Sequence, residues 1–222
     1  MKSTLYGIGV GPGDKELLTV KAVRAIENSD VVIAPSALEG GESIALETAK
    51  EYIKDGTEVV IKHFPMGKKN RVEKAKEAYE FIEEKLKEGK NVSFLTIGDP
   101  YVYSTYIHML KHMEERGFHV ETVPGITSFC AAASLVDRTL VVGDNPLMIL
   151  PATRVKDIKD EKYVVIMKVY KHEEIVVDFL EEKGFDYVYV SRAGREGQLI
   201  LTDKDEIKKS RDYMSLILAS RE

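Results

Sequence analysis

Short, β-branched apolar runs alternate along this chain with longer stretches in which apolar residues recur every three or four positions. Runs at 4–10, 31–34, 58–62, 91–97 and 120–123 read as strands, and 20–28, 43–52, 71–88 and 103–116 read as the helices between them. In 71–88, Ala75, Ala78, Phe81, Ile82 and Leu86 fall at helical spacing within a charged stretch, and Gly89 supplies the C-terminal stop. Strict alternation of strand and helix predicts a parallel α/β lobe. After residue 128 the order changes, with a helix at 128–136, strands at 147–150, 163–167, 187–191, 198–201 and 213–219, and one long helix at 173–183. The last two strands are expected to face each other across the charged segment 202–212, giving a mixed second sheet. No repeat, low-complexity tract or flexible linker interrupts this pattern. The expectation is therefore two α/β lobes, 1–124 and 125–222, with a tight junction near Pro124-Gly125 and a ligand in the cleft between them.

Three strand ends carry the candidate chemistry. Phe94-Leu95-Thr96-Ile97 runs straight into Gly98-Asp99-Pro100, where glycine lets a ligand approach the backbone, Asp99 can accept from an amine or a ribose, and proline fixes the turn. At the N-terminus Gly7-Ile8-Gly9-Val10-Gly11-Pro12-Gly13-Asp14 precedes Leu17-Leu18-Thr19 and a helix. It is not a phosphate-binding Walker loop, because the Gly-Lys-Ser/Thr ending is missing and Pro12 breaks the dinucleotide fingerprint. The third end, Val123-Pro124-Gly125-Ile126-Thr127-Ser128, again passes through Pro-Gly into a hydroxyl-bearing helix start. Any one of these would serve as an ordinary capped turn; three of one style point to a shared site.

In their order along the chain, these elements resemble the tetrapyrrole methylase family, the class III S-adenosylmethionine-dependent methyltransferases. The Gly-Pro-Gly-Asp-x-x-Leu-Leu-Thr block starting at Gly11 is the most specific part. Pro124-Gly125-Ile126-Thr127-Ser128-Phe129-Cys130-Ala131-Ala132 and Gly98-Asp99-Pro100-Tyr101-Val102-Tyr103-Ser104-Thr105 look like the branch that methylates C20 of precorrin-2 or of its cobalt-bearing counterpart, cobalt-factor II. The resemblance implies a two-lobed tetrapyrrole methylase fold, with a parallel N-terminal lobe and a mixed C-terminal one. It implies S-adenosylmethionine held by Pro12, Ile97, Gly98, Asp99, Val102, Ser104, Thr105, Thr127 and Ser128, and from the second lobe by Met167, Ala193, Met214 and Ser215. It also implies a small-molecule tetrapyrrole substrate and a homodimer.

In-line methyl transfer needs orientation and a matched field rather than a covalent nucleophile. The proton leaving C20 could pass to a weak base, for which Tyr6, His63, Tyr103 and Lys168 are the candidates. Where the uroporphyrinogen branch has Tyr-Asp-Arg-Leu, this chain reads Ile33-Ala34-Pro35-Ser36-Ala37-Leu38, which favours a later ring carbon. A carboxylate-rich macrocycle calls for cations, and Lys68, Lys69 and Arg71 form one basic group while Arg154, Lys168, Lys171, Arg192 and Arg195 form another. Gly67 to Asn70, after Phe64-Pro65-Met66, reads as a loop at the mouth of the cleft.

Composition narrows the alternatives. A formal net charge of −5 over 222 residues argues against a general nucleic-acid or anionic-membrane surface. The single cysteine, Cys130, forms no intrachain disulfide and is expected in a helix core. Met1-Lys2-Ser3 leads into the first strand and no long apolar run follows, so a soluble, unprocessed cytoplasmic protein is expected. Of the histidines, only His108 and His112 share helical spacing, and a metal site would need a carboxylate with them, so cobalt is expected only inside the substrate. Two other functions remain: the same fold with another acceptor, either a different corrin carbon or a protein side chain, and a regulatory module binding a nucleotide through the glycine loops.

Overall fold

The computed structural model describes residues 3–36, 41–63 and 71–222, with backbone alone for 71–75. It comprises two compact units, Met1–Thr127 and Ser128–Glu222. In the first, β1 (Thr4–Gly9), β2 (Val31–Ser36), β3 (Glu58–His63), β4 (Val92–Thr96) and β5 (His119–Val123) form one parallel sheet in the order β3-β2-β4-β1-β5. Between them run α1 (Val20–Glu27), α2 (Ile44–Ala49), α3 (Arg71–Lys87) and α4 (Tyr106–Glu115). Side-chain caps start two of these helices: Thr19 accepts from the Ala22 amide and Ser43 from the Leu46 amide.

Alternation along the strands decides which helix covers which face. Ile8, Val10, Val32, Ala34 and Leu95 pack against α1 and α2, through Ala22, Ile26, Ala45 and Ala49. Leu5, Val31, Ile33, Val92 and Phe94 point the other way, onto Ala78, Ile82 and Leu86 of α3 and Tyr106, Met109 and Met113 of α4. With helices on both faces, all five residues of β4 are buried. Each large apolar side chain sealed in this way contributes roughly 1.5–3 kcal/mol before conformational entropy is counted.

The chain leaves β1 through α1 toward β2 and leaves neighbouring β4 through α4 toward β5, on the opposite face. The adjacent carboxyl ends of β1 and β4 thus flank the point where the winding reverses, the customary ligand position of an open α/β sheet.

Backbone meets backbone beyond these ends. A Cβ on Gly9 would lie 2.5 Å from the Gly125 nitrogen and 2.7 Å from the Gly98 carbonyl oxygen. One on Gly125 would lie 2.2 Å from that same oxygen and 2.8 Å from the Gly9 Cα. Within the sheet, Gly7 makes room for the Tyr106 ring, whose nearest atom would be 2.0 Å from an added Cβ.

In the second unit, α5 (Ser128–Leu135) precedes β6 (Leu147–Pro151), β7 (Tyr163–Met167), α6 (Glu173–Glu182), β8 (Asp186–Ser191), β9 (Leu199–Leu201), α7 (Lys204–Lys209) and β10 (Ser215–Ser220). The sheet order is β6-β7-β10-β8-β9; β6 and β7 are parallel and the remaining pairs antiparallel. Val176, Val177 and Leu180 of α6 and Ile207 of α7 cover one face, against Val164, Ile166, Tyr187, Tyr189 and Ile217. The molecule is therefore a two-lobed α/β protein with one parallel and one mixed sheet, as the sequence predicted.

Several details depart from the sequence reading. The last two strands do not pair, since β8 separates β9 from β10, and the charged segment between them carries α7, capped by Asp203. Helix α4 begins at Tyr106 rather than 103, because Tyr103 adopts φ 51° and the Ser104 hydroxyl accepts from the Tyr106 amide. Cys130 is exposed, while Phe129, Ala131, Ala132 and Ala133 take the buried positions of α5. The loop expected at 64–70, with Lys68 and Lys69, lies outside the described residues, as do Ala37, Leu38 and the Arg71 side chain.

Gly125 does not have a positive φ, so Gly125→Ala tests space alone. Because its obstacles are backbone atoms, the variant should lose about 3 kcal/mol in urea unfolding, the upper part of the usual overpacking range. A loss below about 0.5 kcal/mol, within the ordinary scatter of surface substitutions, would contradict the close contact.

Candidate functional site

The glycine loop and the Gly98 loop are joined by a short ladder that continues past the sheet. Val10 N donates to Thr96 O at 2.9 Å, Gly98 N to Gly11 O at 2.6 Å, and Gly11 N to Gly98 O at 3.3 Å. Gly11 and Gly98 hold φ of 75° and 73°, a region costly for other residues. Beyond Gly98 and its two chain neighbours, no described heavy atom lies within 4 Å of where a Cβ on Gly98 would stand, which leaves room for a ligand against this otherwise buried backbone. Pro12 is buried beside this ladder, and Asp14 accepts from the Glu16 amide to start the short turn of Lys15–Leu17.

Asp99 ties the third loop to the other two. Its Oδ1 accepts from the Tyr101 amide at 2.8 Å and its Oδ2 from the Gly125 amide at 3.1 Å. Its carbonyl accepts from Val102 N at 3.1 Å. Each carboxylate oxygen keeps a further lone pair for a ligand donor. The structure thus gives Asp99 an anchoring task that the sequence did not reveal. Ile97, Val102, Ser104 and Thr105 are half-buried along the same loop, and Thr127 closes the first unit.

Behind the loops, the Tyr106 hydroxyl and the Thr122 hydroxyl lie 2.6 Å apart, and Tyr101 donates to Thr122 at 3.1 Å. Burial pushes the Tyr106 phenol up to about 12, so it stays protonated. Two hydroxyl oxygens at these strand ends, Thr96 Oγ1 and Thr127 Oγ1, are buried with no hydrogen-bond partner among the described residues. Buried polar atoms are normally satisfied, so orphans beside an open backbone edge fit a polar ligand. Segments 3–14, 96–105 and 122–128 contain no lysine or arginine but include Asp14 and Asp99. That charge suits a cationic ligand such as a sulfonium and does not suit a polyphosphate.

In the second unit, the ends of β7 and β8 meet the start of antiparallel β10. Leu216 pairs with Met167, Ser215 with Ser191, and Arg192 N donates to Met214 O at 2.9 Å. Met167, Ala193, Met214 and Ser215 therefore share one end of the sheet. Ser128 does not join them in sequence; it is the first residue of α5. Lys168 and Arg192 both adopt left-handed backbone, φ 58° and 49°, directly after their strands. Such geometry costs about 1–3 kcal/mol per residue and collects at functional ends. The sequence reading missed Ser191, whose Oγ is buried without a partner among the described residues, and Asp212, which is half-buried. The alternating strand pattern before Ser191 could have marked the first; nothing local marked the second.

The candidate bases are dispersed. Tyr103 follows the Gly98 loop and is exposed, whereas Tyr6 sits mid-strand on β1 and packs into the α1/α2 core. His63 ends β3, at the sheet edge beyond β4 and β2, with a buried, unpartnered Nδ1 among the described residues. Lys168 belongs to the second unit. His112 turns its Nε2 to Glu83 at 2.9 Å, and His108 is exposed. Of the second basic group, Arg154 pairs with Asp157 and Lys171 lies over the Tyr170 ring.

Comparison with known proteins agrees with this geometry. Residues 4–207 match the family model of the Tetrapyrrole (Corrin/Porphyrin) Methylases. A probable cobalt-precorrin-2 C(20)-methyltransferase of Methanocaldococcus jannaschii is 38% identical, over 98% of this chain and 96% of that protein. The cobalt-precorrin-2 C(20)-methyltransferase of Salmonella typhimurium is 29% identical over 100% and 98%. A precorrin-2 C(20)-methyltransferase of Sinorhizobium is 30% identical over 96% and 94%. In three dimensions the chain resembles a Thermus thermophilus uroporphyrin-III C-methyltransferase complexed with S-adenosylhomocysteine, with TM-score 0.76, 19% identity, and coverage of 99% and 98%. With its parallel and mixed lobes and its loops of glycine and aspartate, the chain belongs to the tetrapyrrole (corrin/porphyrin) methylases and is an S-adenosylmethionine-dependent methyltransferase.

Proposed function

We propose that the chain methylates C20 of a corrin precursor in cobalamin biosynthesis, with cobalt-factor II as substrate. The observation that carries this reading is the end-to-end match to relatives named for C20 methylation, at 38% identity for one with a cobalt-bearing substrate in its name. The metal-free alternative, precorrin-2, has the support of a relative at 30%.

S-adenosylmethionine supplies an electrophilic methyl group on a sulfonium. In the proposed arrangement the glycine loop with Pro12, the loop from Ile97 to Thr105, Thr127 and Ser128 hold it, with Met167, Ala193, Met214 and Ser215 contributing from the second lobe. The remaining lone pairs of Asp99 receive its donors, and the Thr96 and Thr127 hydroxyls acquire their missing partners. As the ring carbon donates its electron pair to the methyl, the sulfur–carbon bond breaks and the sulfonium becomes a neutral thioether; the C20 proton then departs to a base. Tyr103, exposed and next to the Gly98 loop, is the best placed of the candidates in the first lobe for that role, with Lys168 its counterpart in the second. Loops without lysine or arginine weigh against a nucleotide-binding regulatory module. We further propose a cytoplasmic homodimer; among the described residues no helix is long and apolar enough to cross a membrane.

Anaerobic incubation with S-adenosylmethionine and either cobalt-factor II or metal-free precorrin-2, followed by mass spectrometry of the pigment, should show one methyl gained on the cobalt form. Gain on the metal-free form alone would reassign the substrate, and gain on neither would remove the C20 reading. Asp99→Asn keeps one acceptor and loses the charge, so the Kd for S-adenosylhomocysteine should rise about tenfold by calorimetry, the scale of a lost charge-assisted hydrogen bond. An unchanged Kd would exclude Asp99 from the cofactor seat.

A further inference from the structure

Arg192 leaves β8 in left-handed conformation, and its Nε donates to Asp212 Oδ2 at 2.6 Å. The other oxygen of Asp212, Oδ1, accepts from the Met214 amide at 2.9 Å, and its carbonyl accepts from the Ser215 hydroxyl at 2.7 Å. One carboxylate thus fixes a guanidinium and the entry to β10 together. Arg195 is brought beside Arg192 by a tight turn, with Arg195 N donating to Arg192 O at 2.9 Å. Gly197 leaves the space that the Arg192 side chain occupies, since a Cβ there would lie 3.1 Å from its Nη1.

The charges in this cluster do not balance. Two guanidiniums face one carboxylate, and the Arg195 side chain is half-buried with no hydrogen bond or ion pair among the described residues. Burial first, and then the neighbouring Arg192 charge, hold the Arg195 guanidinium below its usual range, only partly offset by Asp212. A half-buried cationic group in this condition is stabilised by an arriving anion. Next to Asp212 in the chain, Tyr213 stands half exposed, its ring 5.9 Å from that of Tyr170 in an edge-on pair. The second unit therefore carries exposed aromatic surface on the residue that follows Asp212, in addition to an unneutralised guanidinium.

We infer that Arg192 and Arg195 form a recognition site for a carboxylate side chain of the macrocycle, and that Asp212 is the positioning residue that aims Arg192 at it. The inference rests on the proposed tetrapyrrole substrate and names the part of the chain that reads its acidic periphery. Asp212 also links that recognition to Met214 and Ser215, which the proposed cofactor site uses.

Equilibrium binding of uroporphyrin and of its methyl ester, followed by absorbance and fluorescence, tests this without turnover. The intact protein should bind the acid about tenfold more tightly than the ester, the discrimination expected of one charge-assisted pair. Arg195→Gln and Asp212→Asn should each lose that discrimination by weakening the acid form alone. In Asp212→Asn the amide oxygen still serves Met214 N while its NH2 faces Arg192 and cannot accept, so S-adenosylhomocysteine affinity should stay within about twofold. Equal weakening of acid and ester, unchanged discrimination in both variants, or no binding of uroporphyrin by the intact protein would overturn the inference. Failure of methyl transfer to C20 with this binding pattern intact would sink the proposed reaction and leave the carboxylate site standing.

Discussion

Three glycines in backbone contact are the constraint on which the first lobe depends. Gly9, Gly98 and Gly125 end or follow β1, β4 and β5, and a Cβ on either Gly9 or Gly125 would strike the backbone of the other two. Beside that contact the Gly11–Gly98 bridge extends the β1–β4 pairing, and Asp99 reaches the Gly125 amide. The proposed cofactor seat is built largely of main chain, whose position is set by the sheet rather than by side-chain rotamers. A site of this kind is ordered before its ligand arrives, which suits a reaction that depends on alignment more than on an activated group.

Each lobe uses one aspartate in a similar way. Asp99 gathers two loop amides with its two oxygens, and Asp212 gathers one amide and one guanidinium. Both carboxylates spend part of their accepting capacity on the protein, which holds them in place. The difference lies in the surroundings. Segments around Asp99 carry no cation, whereas Asp212 is outnumbered by arginines. The two lobes thus offer opposite electrostatic environments, one congenial to a sulfonium and the other to carboxylates.

The sequence displayed most of the fold and the three loops of the candidate site because both rest on local signals. Uninterrupted apolar runs such as Val31 to Ala34 mark strands covered on two faces, and glycines at strand ends mark where backbone must approach backbone. What the sequence concealed depends on partners distant along the chain. The insertion of β10 between β7 and β8 is settled by packing, not by any residue in 213–220. Cys130 lies in an apolar run, yet the turn of α5 puts its alanine neighbours inside. The start of α4 was misplaced because Tyr103 adopts a backbone conformation that few tyrosines take. Asp212 closes the charged segment read as a connection between two strands, and its bond to Arg192 emerges only when β8 brings that residue alongside.

Amide hydrogen exchange with and without S-adenosylhomocysteine tests the central claim most directly, because the proposed seat is backbone. Protection should increase in the glycine loop around Gly11, at Gly98 to Val102 and at Gly125 to Thr127, while the exposed faces of α3 and α6 exchange as before. Protection confined to other segments, or none in these three loops at saturating ligand, would contradict the account.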